Sequence, residues 1–192
     1  MKTAGQYMLV LMLFPAFLYA QKGSKVKCLY KDAAEFINDS PSFDFECKSK
    51  NKILLNDFFI KNYVTVKGSD STYKFPKSSL YGFQTCNGRV YRFLNKQELL
   101  MLNEKEEIVI YRHQVAKPPS GRTNVTNYYF SVGKNGKLVK LTFKNLKKTF
   151  VGNTVFLTFI DSEFKYNTDL AGYDERLKKY RVNVLLQKSK IK

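Results

Sequence analysis

The sequence holds one histidine, His113, in 192 residues. It has three cysteines, Cys28, Cys47 and Cys86, at spacings unlike a zinc or redox pair. No metal-ligand signature emerges from this set, and no cofactor is expected. Acids are also scarce: 16 Asp and Glu face 33 Lys and Arg, a formal charge of +17. The apolar run from Tyr7 to Ala20 covers about 14 residues and contains Pro15. A membrane-spanning helix needs roughly 20, so no transmembrane span is expected in the mature chain.

The N-terminus instead has the order of a secretory leader. Lys2 is its charged residue, the apolar run follows, and Leu18-Tyr19-Ala20 ends on a small residue. The domain plan is a signal peptide at 1–20 and a single domain at 21–192. Leu18 two positions before the cut, and Lys22, Lys25 and Lys27 after it, are less usual for a leader. Removing Lys2 with the leader leaves 32 basic residues against 16 acidic, a net charge of +16. The 172 remaining residues of the 192 suit one domain with a real core. Export permits a disulfide. Cys28–Cys47 is the local choice, but all three pairings are open and one thiol is left over. Asn38-Asp39-Ser40 and Asn124-Val125-Thr126 match the glycosylation sequon, which has meaning only in a eukaryotic secretory pathway.

The chain from 21 to 60 gives weak signals: a helical turn at Asp32 to Ile37, a brief strand at Ser42 to Cys47, and an apolar stretch at Ile53 to Ile60 of either type. From Tyr63 strands follow one another. Tyr63 to Val66 and Thr72 to Phe75 form a hairpin about Gly68-Ser69-Asp70, and Pro76 stops it. Asn87-Gly88 predicts a two-residue type I′ turn that sets Gly82 opposite Phe93. Strands continue at Glu98 to Leu102 and Glu107 to His113, and Pro118-Pro119-Ser120-Gly121 marks a loop. Asn135-Gly136 predicts a second tight hairpin. It sets Tyr128, Phe130 and Val132 opposite Phe143, Leu141 and Val139 on an apolar face, with Tyr129 and Ser131 on a wetter one.

The last 48 residues turn helical. Asn145 to Phe150 forms a turn of helix, and Asn153 caps a helix carrying Val155, Phe156, Phe159 and Ile160, a run whose composition also fits a strand. A longer helix is expected at 169–188, where Leu170, Tyr173, Leu177, Tyr180 and Val184 make one stripe. Asp174–Lys178 and Glu175–Lys179 are acid-before-base pairs one turn apart on it.

Chemistry-bearing groups are few. A Cys–His nucleophile has only Cys86 and His113 to draw on, and nothing orients the pair. Glu104, Glu106 and Glu107 read as a solvated turn. The basic surface is the better candidate. Lys144, Lys147 and Lys148, with Lys140, form one cluster, and Arg176 and Lys179 share a face of the expected last helix. Such patches either bind an acidic glycan, lipid or other polyanion, or serve only as a solvated surface.

Three stretches together resemble a layout of small exported bacterial proteins of unknown function. They are Lys77-Ser78-Ser79-Leu80-Tyr81-Gly82-Phe83 with Asn87-Gly88-Arg89-Val90-Tyr91-Arg92-Phe93; Tyr128-Tyr129-Phe130-Ser131 with Leu141-Thr142-Phe143-Lys144-Asn145-Leu146; and Tyr173-Asp174-Glu175 with Lys179-Tyr180 and Val182-Asn183. The resemblance spans about 62–188. It implies a β-rich body followed by C-terminal helices and an extracytoplasmic home, and it carries no catalytic residues. The expected fold is therefore α+β: an antiparallel β-meander of hairpins at about 62–143, packed with two C-terminal helices at about 145–188. The expected function is an exported, non-enzymatic envelope or secreted accessory protein. Its partner is an anionic envelope component or a protein surface, not nucleic acid. The alternative is an enzyme of unrecognised type using Cys86 or His113.

Overall fold

Apolar–polar alternation turns most of the chain into strands, and nearly all of them join one sheet. The computed structural model describes residues 25–56, 61–114 and 126–191. The leader at 1–20, residues 57–60 of the apolar stretch, the Pro118-Pro119-Ser120-Gly121 loop, the Asn124 sequon and Lys192 lie outside the described residues. In chain order the elements are β1 (Val26–Tyr30), α1 (Ala33–Ile37), β2 (Phe43–Asp44), β3 (Lys52–Leu54), β4 (Tyr63–Lys67), β5 (Thr72–Pro76), β6 (Gly82–Thr85), β7 (Val90–Leu94), β8 (Gln97–Met101), β9 (Ile108–Gln114), β10 (Thr126–Val132), β11 (Val139–Lys140), α2 (Phe143–Thr149), α3 (Thr154–Glu163), β12 (Tyr173–Asp174), β13 (Lys179–Tyr180) and α4 (Arg181–Lys188).

The sheet runs β11-β10-β9-β8-β7-β6-β1-β3-β4-β5, with β2 also on β1. All its pairings are antiparallel. This is the expected α+β meander with helices gathered mostly at its C-terminal end. The N-terminal segment, however, is part of the meander and not a preface to it. β1 lies between β6 and β3, and its Cys28, Leu29 and Tyr30 are buried.

Both Asn-Gly turns differ from the tight turn expected. A type I′ turn requires positive φ at both central residues. Only Gly88 has it (φ +80°), not Asn87. The loop therefore takes three residues, Thr85 N–H bonds Arg89 O, and Gly82 pairs with Arg92 instead of Phe93. At the second turn Gly133 takes the positive φ (+68°). Gly136 folds against the Val132 backbone so closely that a Cβ would lie 2.3 Å from its carbonyl oxygen. Phe130 then pairs with Val139, two residues from the expected partner Leu141. Because a shift of two keeps every side chain on its side, Phe130, Val139 and Leu141 still share one core.

The face expected to be wet is covered. Along β9, Ile108 and Ile110 enter one core while Val109 and Tyr111 enter another, and all four are fully buried. Ser131 is buried on that second face, where its Oγ lies 3.0 Å from the Tyr111 hydroxyl and donates to Gly133 O. Phe36 of α1 packs there too, stacked on Tyr81 with centroids 5.1 Å apart. Lys134 Nζ sits 5.1 Å from the Phe36 ring, and the Arg92 guanidinium lies 4.8 Å from Tyr81 on its way to the Tyr111 hydroxyl and Lys134 O.

The other core carries the helices. α2 supplies Leu146, α3 supplies Phe156 and Ile160, and α4 supplies Val182, Leu185 and Leu186 against Ile108, Ile110 and Phe130. Asn153 caps α3 as expected, accepting from Phe156 N–H at 3.0 Å. The single helix expected at 169–188 is corrected. Residues Asn167–Ala171 form a 3-10 turn, β12 and β13 form a small hairpin, and only Arg181–Lys188 is α-helical. Gly172 is a poor helix former and sits extended at ψ 135°. Asp174 Oδ1 accepts Leu177 N–H at 2.9 Å, a local bond that competes with helix. Tyr173 and Tyr180 meet edge to face across the hairpin. The stripe is thus divided: Leu170 is buried, while Tyr173 and Leu177 are exposed.

One contact ties helix to sheet. β8 leaves the ladder after Leu102, whose N–H bonds Ile110 O. Side-chain amides then continue the pairing. Asn103 accepts from Ile110 N–H and donates to Ile108 O. Asn183 of α4, 2 % exposed, accepts from Ile108 N–H at 2.9 Å and donates to Ile108 O at 2.8 Å. Replacing Asn183 with Ala leaves that carbonyl its Asn103 partner but strips the buried N–H of its acceptor. The expected cost is about 2 kcal/mol, read as a lower urea midpoint at unchanged slope. An unaltered midpoint would contradict the assignment.

Candidate functional site

α2 begins at Thr142, whose hydroxyl accepts Asn145 N–H, and its apolar side buries Leu146. Lys144 and Lys148 are one turn apart on the opposite side and exposed. Lys147 pairs with Asp161 of α3 at 2.7 Å. Lys140 lies exposed at the end of β11. Lys140, Lys144 and Lys148 have no acidic partner among the described residues. The reason is compositional: from Ile108 to Ile160 the chain has no Asp or Glu at all, while it carries Lys134, Lys137, Lys140, Lys144, Lys147 and Lys148. That acid-free interval is legible in the sequence and is a sharper signal than the local cluster alone.

Arg176 and Lys179 do not share a helix face. They lie on the β12–β13 hairpin, Arg176 exposed in its turn and Lys179 half-buried on β13, donating to Gln187 Oε1 at 3.0 Å. Their neighbours are neutralised: Lys178 pairs with Glu175, Arg181 with Glu163, and Lys190 with Glu107. The structure thus leaves the α2 corner more cationic than the hairpin.

An open cleft of about 280 Å³ is lined by Lys31, Ser78, Ser79, Tyr81, Arg92 and Phe93, among others. Its cations are committed. Arg92 is bonded to Lys134 O and Tyr111, and Lys31 Nζ lies 5.5 Å from the Phe43 ring. Beside it, buried Lys77 pairs with Glu98 at 2.8 Å. These contacts hold the α1 and Lys134 segments against the sheet.

The Cys–His pair is not available. Cys86 is bonded to Cys47, so it offers no thiolate. This corrects the Cys28–Cys47 choice, and the register explains it. Cys86 donates its N–H to Lys25 O and Cys47 O accepts from Lys25 Nζ, so the two cysteines flank the start of β1. Cys28 points into the core and donates to the Tyr30 hydroxyl at 3.4 Å. Burial pushes its thiol above the ordinary range, which makes it unreactive. His113 lies on β9 opposite Asn127, its Nδ1 buried with no hydrogen-bond partner among the described residues. Burial lowers its pKa and so favours the uncharged ring.

Glu104 and Glu107 are exposed, as expected of a solvated turn, but Glu106 is turned partly inward. It is half-buried, and burial raises its pKa, opposed by the nearby Asn103, Lys179, Tyr180 backbone and Asn183. Its Oε2 is buried without a partner among the described residues. Among those residues no group of three or more His, Cys, Asp or Glu is placed to hold a metal ion. Comparison with protein-family models finds no match to the chain, and comparisons with curated proteins and with solved structures find none either.

Two outcomes test these placements. Non-reducing peptide mapping should recover Cys47 linked to Cys86, with Cys28 alkylated only after unfolding. The link closes a separation of 39 residues, and its reduction should cost about 4 kcal/mol. A recovered Cys28–Cys47 peptide would refute the pairing. For Glu106, the native state holds its proton more tightly than the unfolded state, so this group's contribution to stability falls as pH rises through its native pKa. The stability of Glu106→Gln relative to the parent should therefore grow from acid to neutral pH and then level. A difference that is flat or shrinks over that range contradicts the buried carboxylate.

Proposed function

We propose that this protein is an exported, non-enzymatic accessory protein that binds an anionic component of the cell envelope through the cationic corner formed by β11 and α2. The observation that carries the reading is the set of exposed cations Lys140, Lys144 and Lys148, which have no acidic partner among the described residues and lie in an interval, Ile108 to Ile160, whose sequence contains no Asp or Glu. Some cations elsewhere are matched with acids, at Lys77–Glu98, Arg181–Glu163 and Lys190–Glu107, and what sets the α2 lysines apart is that their stretch of chain holds no acid at all. An unmatched cluster on a surface of net positive charge concentrates polyanions and speeds their encounter. Arg176 on the hairpin is a second, smaller contribution.

Export is supported by the order of residues at 1–20 and by the Cys47–Cys86 bond, which persists in an oxidising compartment. The non-enzymatic part is supported by the bonded state of Cys86 and by His113, which sits half-buried with no orienting partner among the described residues.

Binding to a soluble sulfated polysaccharide and to anionic vesicles should be strong at low salt. It should weaken as the Debye length falls from about 30 Å at 0.01 M to about 8 Å at 0.15 M. Replacing Lys140, Lys144 and Lys148 together by Gln should flatten the salt dependence, by on the order of one unit of log–log slope per lysine engaged. Absence of binding to both probes at low salt would remove the reading.

A further inference from the structure

The turn between α2 and α3 presents an apolar apex. Phe150 and Asn153 are pinned on either side of it. Phe150 packs edge to face on buried Phe156 at 5.0 Å, and Asn153 N–H bonds Phe150 O at 2.8 Å. The Asn153 side chain accepts from Phe156 N–H and donates to Ser189 Oγ of the C-terminal segment at 3.0 Å. Between these anchors only Val151 and Gly152 are left, and they can only point away. Val151 is 74 % exposed, and a Cβ built on Gly152 would meet nothing within 4 Å. Val155, in the first turn of α3, is 49 % exposed. Lys144 and Lys148 are exposed on α2, the helix that leads into this turn.

An apex of exposed aliphatic side chains on a rigid turn, following a helix that bears unmatched lysines, fits one kind of partner better than a glycan. An acidic glycan satisfies the lysines and leaves the valines in water. A bilayer containing anionic lipid satisfies both, because its headgroups meet the ammonium groups while the aliphatic tips enter the acyl boundary. We infer that the α2–α3 corner is a bilayer-docking tip: Val151, with Val155, inserts into an anionic membrane surface while Lys144 and Lys148 contact its phosphates. The inference rests on the anionic-partner reading above and names that partner as lipid.

The chain contains no tryptophan, so Val151→Trp places a single reporter at the apex, on a site too exposed to disturb the core. Tyr73→Trp, on the 50 % exposed Tyr73 of β5, places one at the other end of the sheet order. The chain from residue 21 onward, without the leader, is mixed with phosphatidylcholine vesicles, with and without phosphatidylglycerol. With phosphatidylglycerol, the Val151→Trp emission should move to shorter wavelength and be quenched by lipids brominated on their acyl chains. The Tyr73→Trp emission should do neither. Adding Lys144→Gln and Lys148→Gln to the Val151→Trp chain should reduce its vesicle partitioning on the order of tenfold or more. An unshifted Val151→Trp on vesicles that bind the protein, or an equal shift of Tyr73→Trp, overturns the tip. Binding to the sulfated polysaccharide with no binding to vesicles overturns the lipid assignment and leaves the anionic-partner reading standing. Binding to neither overturns both.

Discussion

The architecture depends on the way backbone pairing is continued where strand β8 ends. β9 is buried on both faces, so every polar group on its backbone must be satisfied within the protein. Beyond Leu102 no strand remains to do this on one side. The amides of Asn103 and Asn183 take its place, each offering one donor and one acceptor to the exposed rungs at Ile108 and Ile110. Asn183 does so from a helix 75 residues further along the chain. The contact therefore fixes the height and rotation of α4, and with it the position at which Val182, Leu185 and Leu186 enter the core. Hydrophobic burial supplies the driving force, but it is not directional. The paired amide supplies the direction.

Much of this was legible in the residues. Runs of β-branched, aromatic and apolar residues located β4, β5, β8 and β9, and Asn153 announced the start of α3. The β-rich body and the later helices follow from that pattern. What was not legible came from effects that a local window cannot contain. The 169–188 stripe has faultless helical spacing, yet Gly172 and the Asp174–Leu177 bond break it, and a Tyr–Tyr contact across the resulting hairpin holds it open. The two Asn-Gly turns carry the right residues for a tight turn, but the loop length is set by which single glycine adopts positive φ. Tyr129 and Ser131 read as a wet face because nothing in their neighbourhood reveals that α1, nearly 100 residues earlier in the chain, packs over the same side of the sheet.

The candidate site follows the same division. The lysines of α2 were visible as a cluster, and the structure adds which of them is neutralised and which is not. Arg176 and Lys179 appeared to share a face only through the helix that does not form. The cysteines could not be paired from spacing, because their partners are chosen by sheet register: Cys47 and Cys86 arrive on either side of Lys25, while Cys28 alternates inward. The apolar apex at Val151 was hidden for another reason. It lies in an apolar run whose other members, Phe150 and Phe156, pack inward, and only the turn geometry separates the two valines from them.

The place of β1 in the sheet has a further consequence. It bridges the β3–β5 hairpin group to the β6–β11 meander, and among the described residues no other strand joins those two halves. Until β1 docks, β3–β5 and β6–β11 are two unconnected groups of three and six strands with open edges, and β2 has no strand to pair with. Anything that holds back residues 26–30, whether a carrier gripping the N-terminus or a neighbouring membrane, keeps the sheet from closing, so a segment near the start of the chain controls whether the two halves can join.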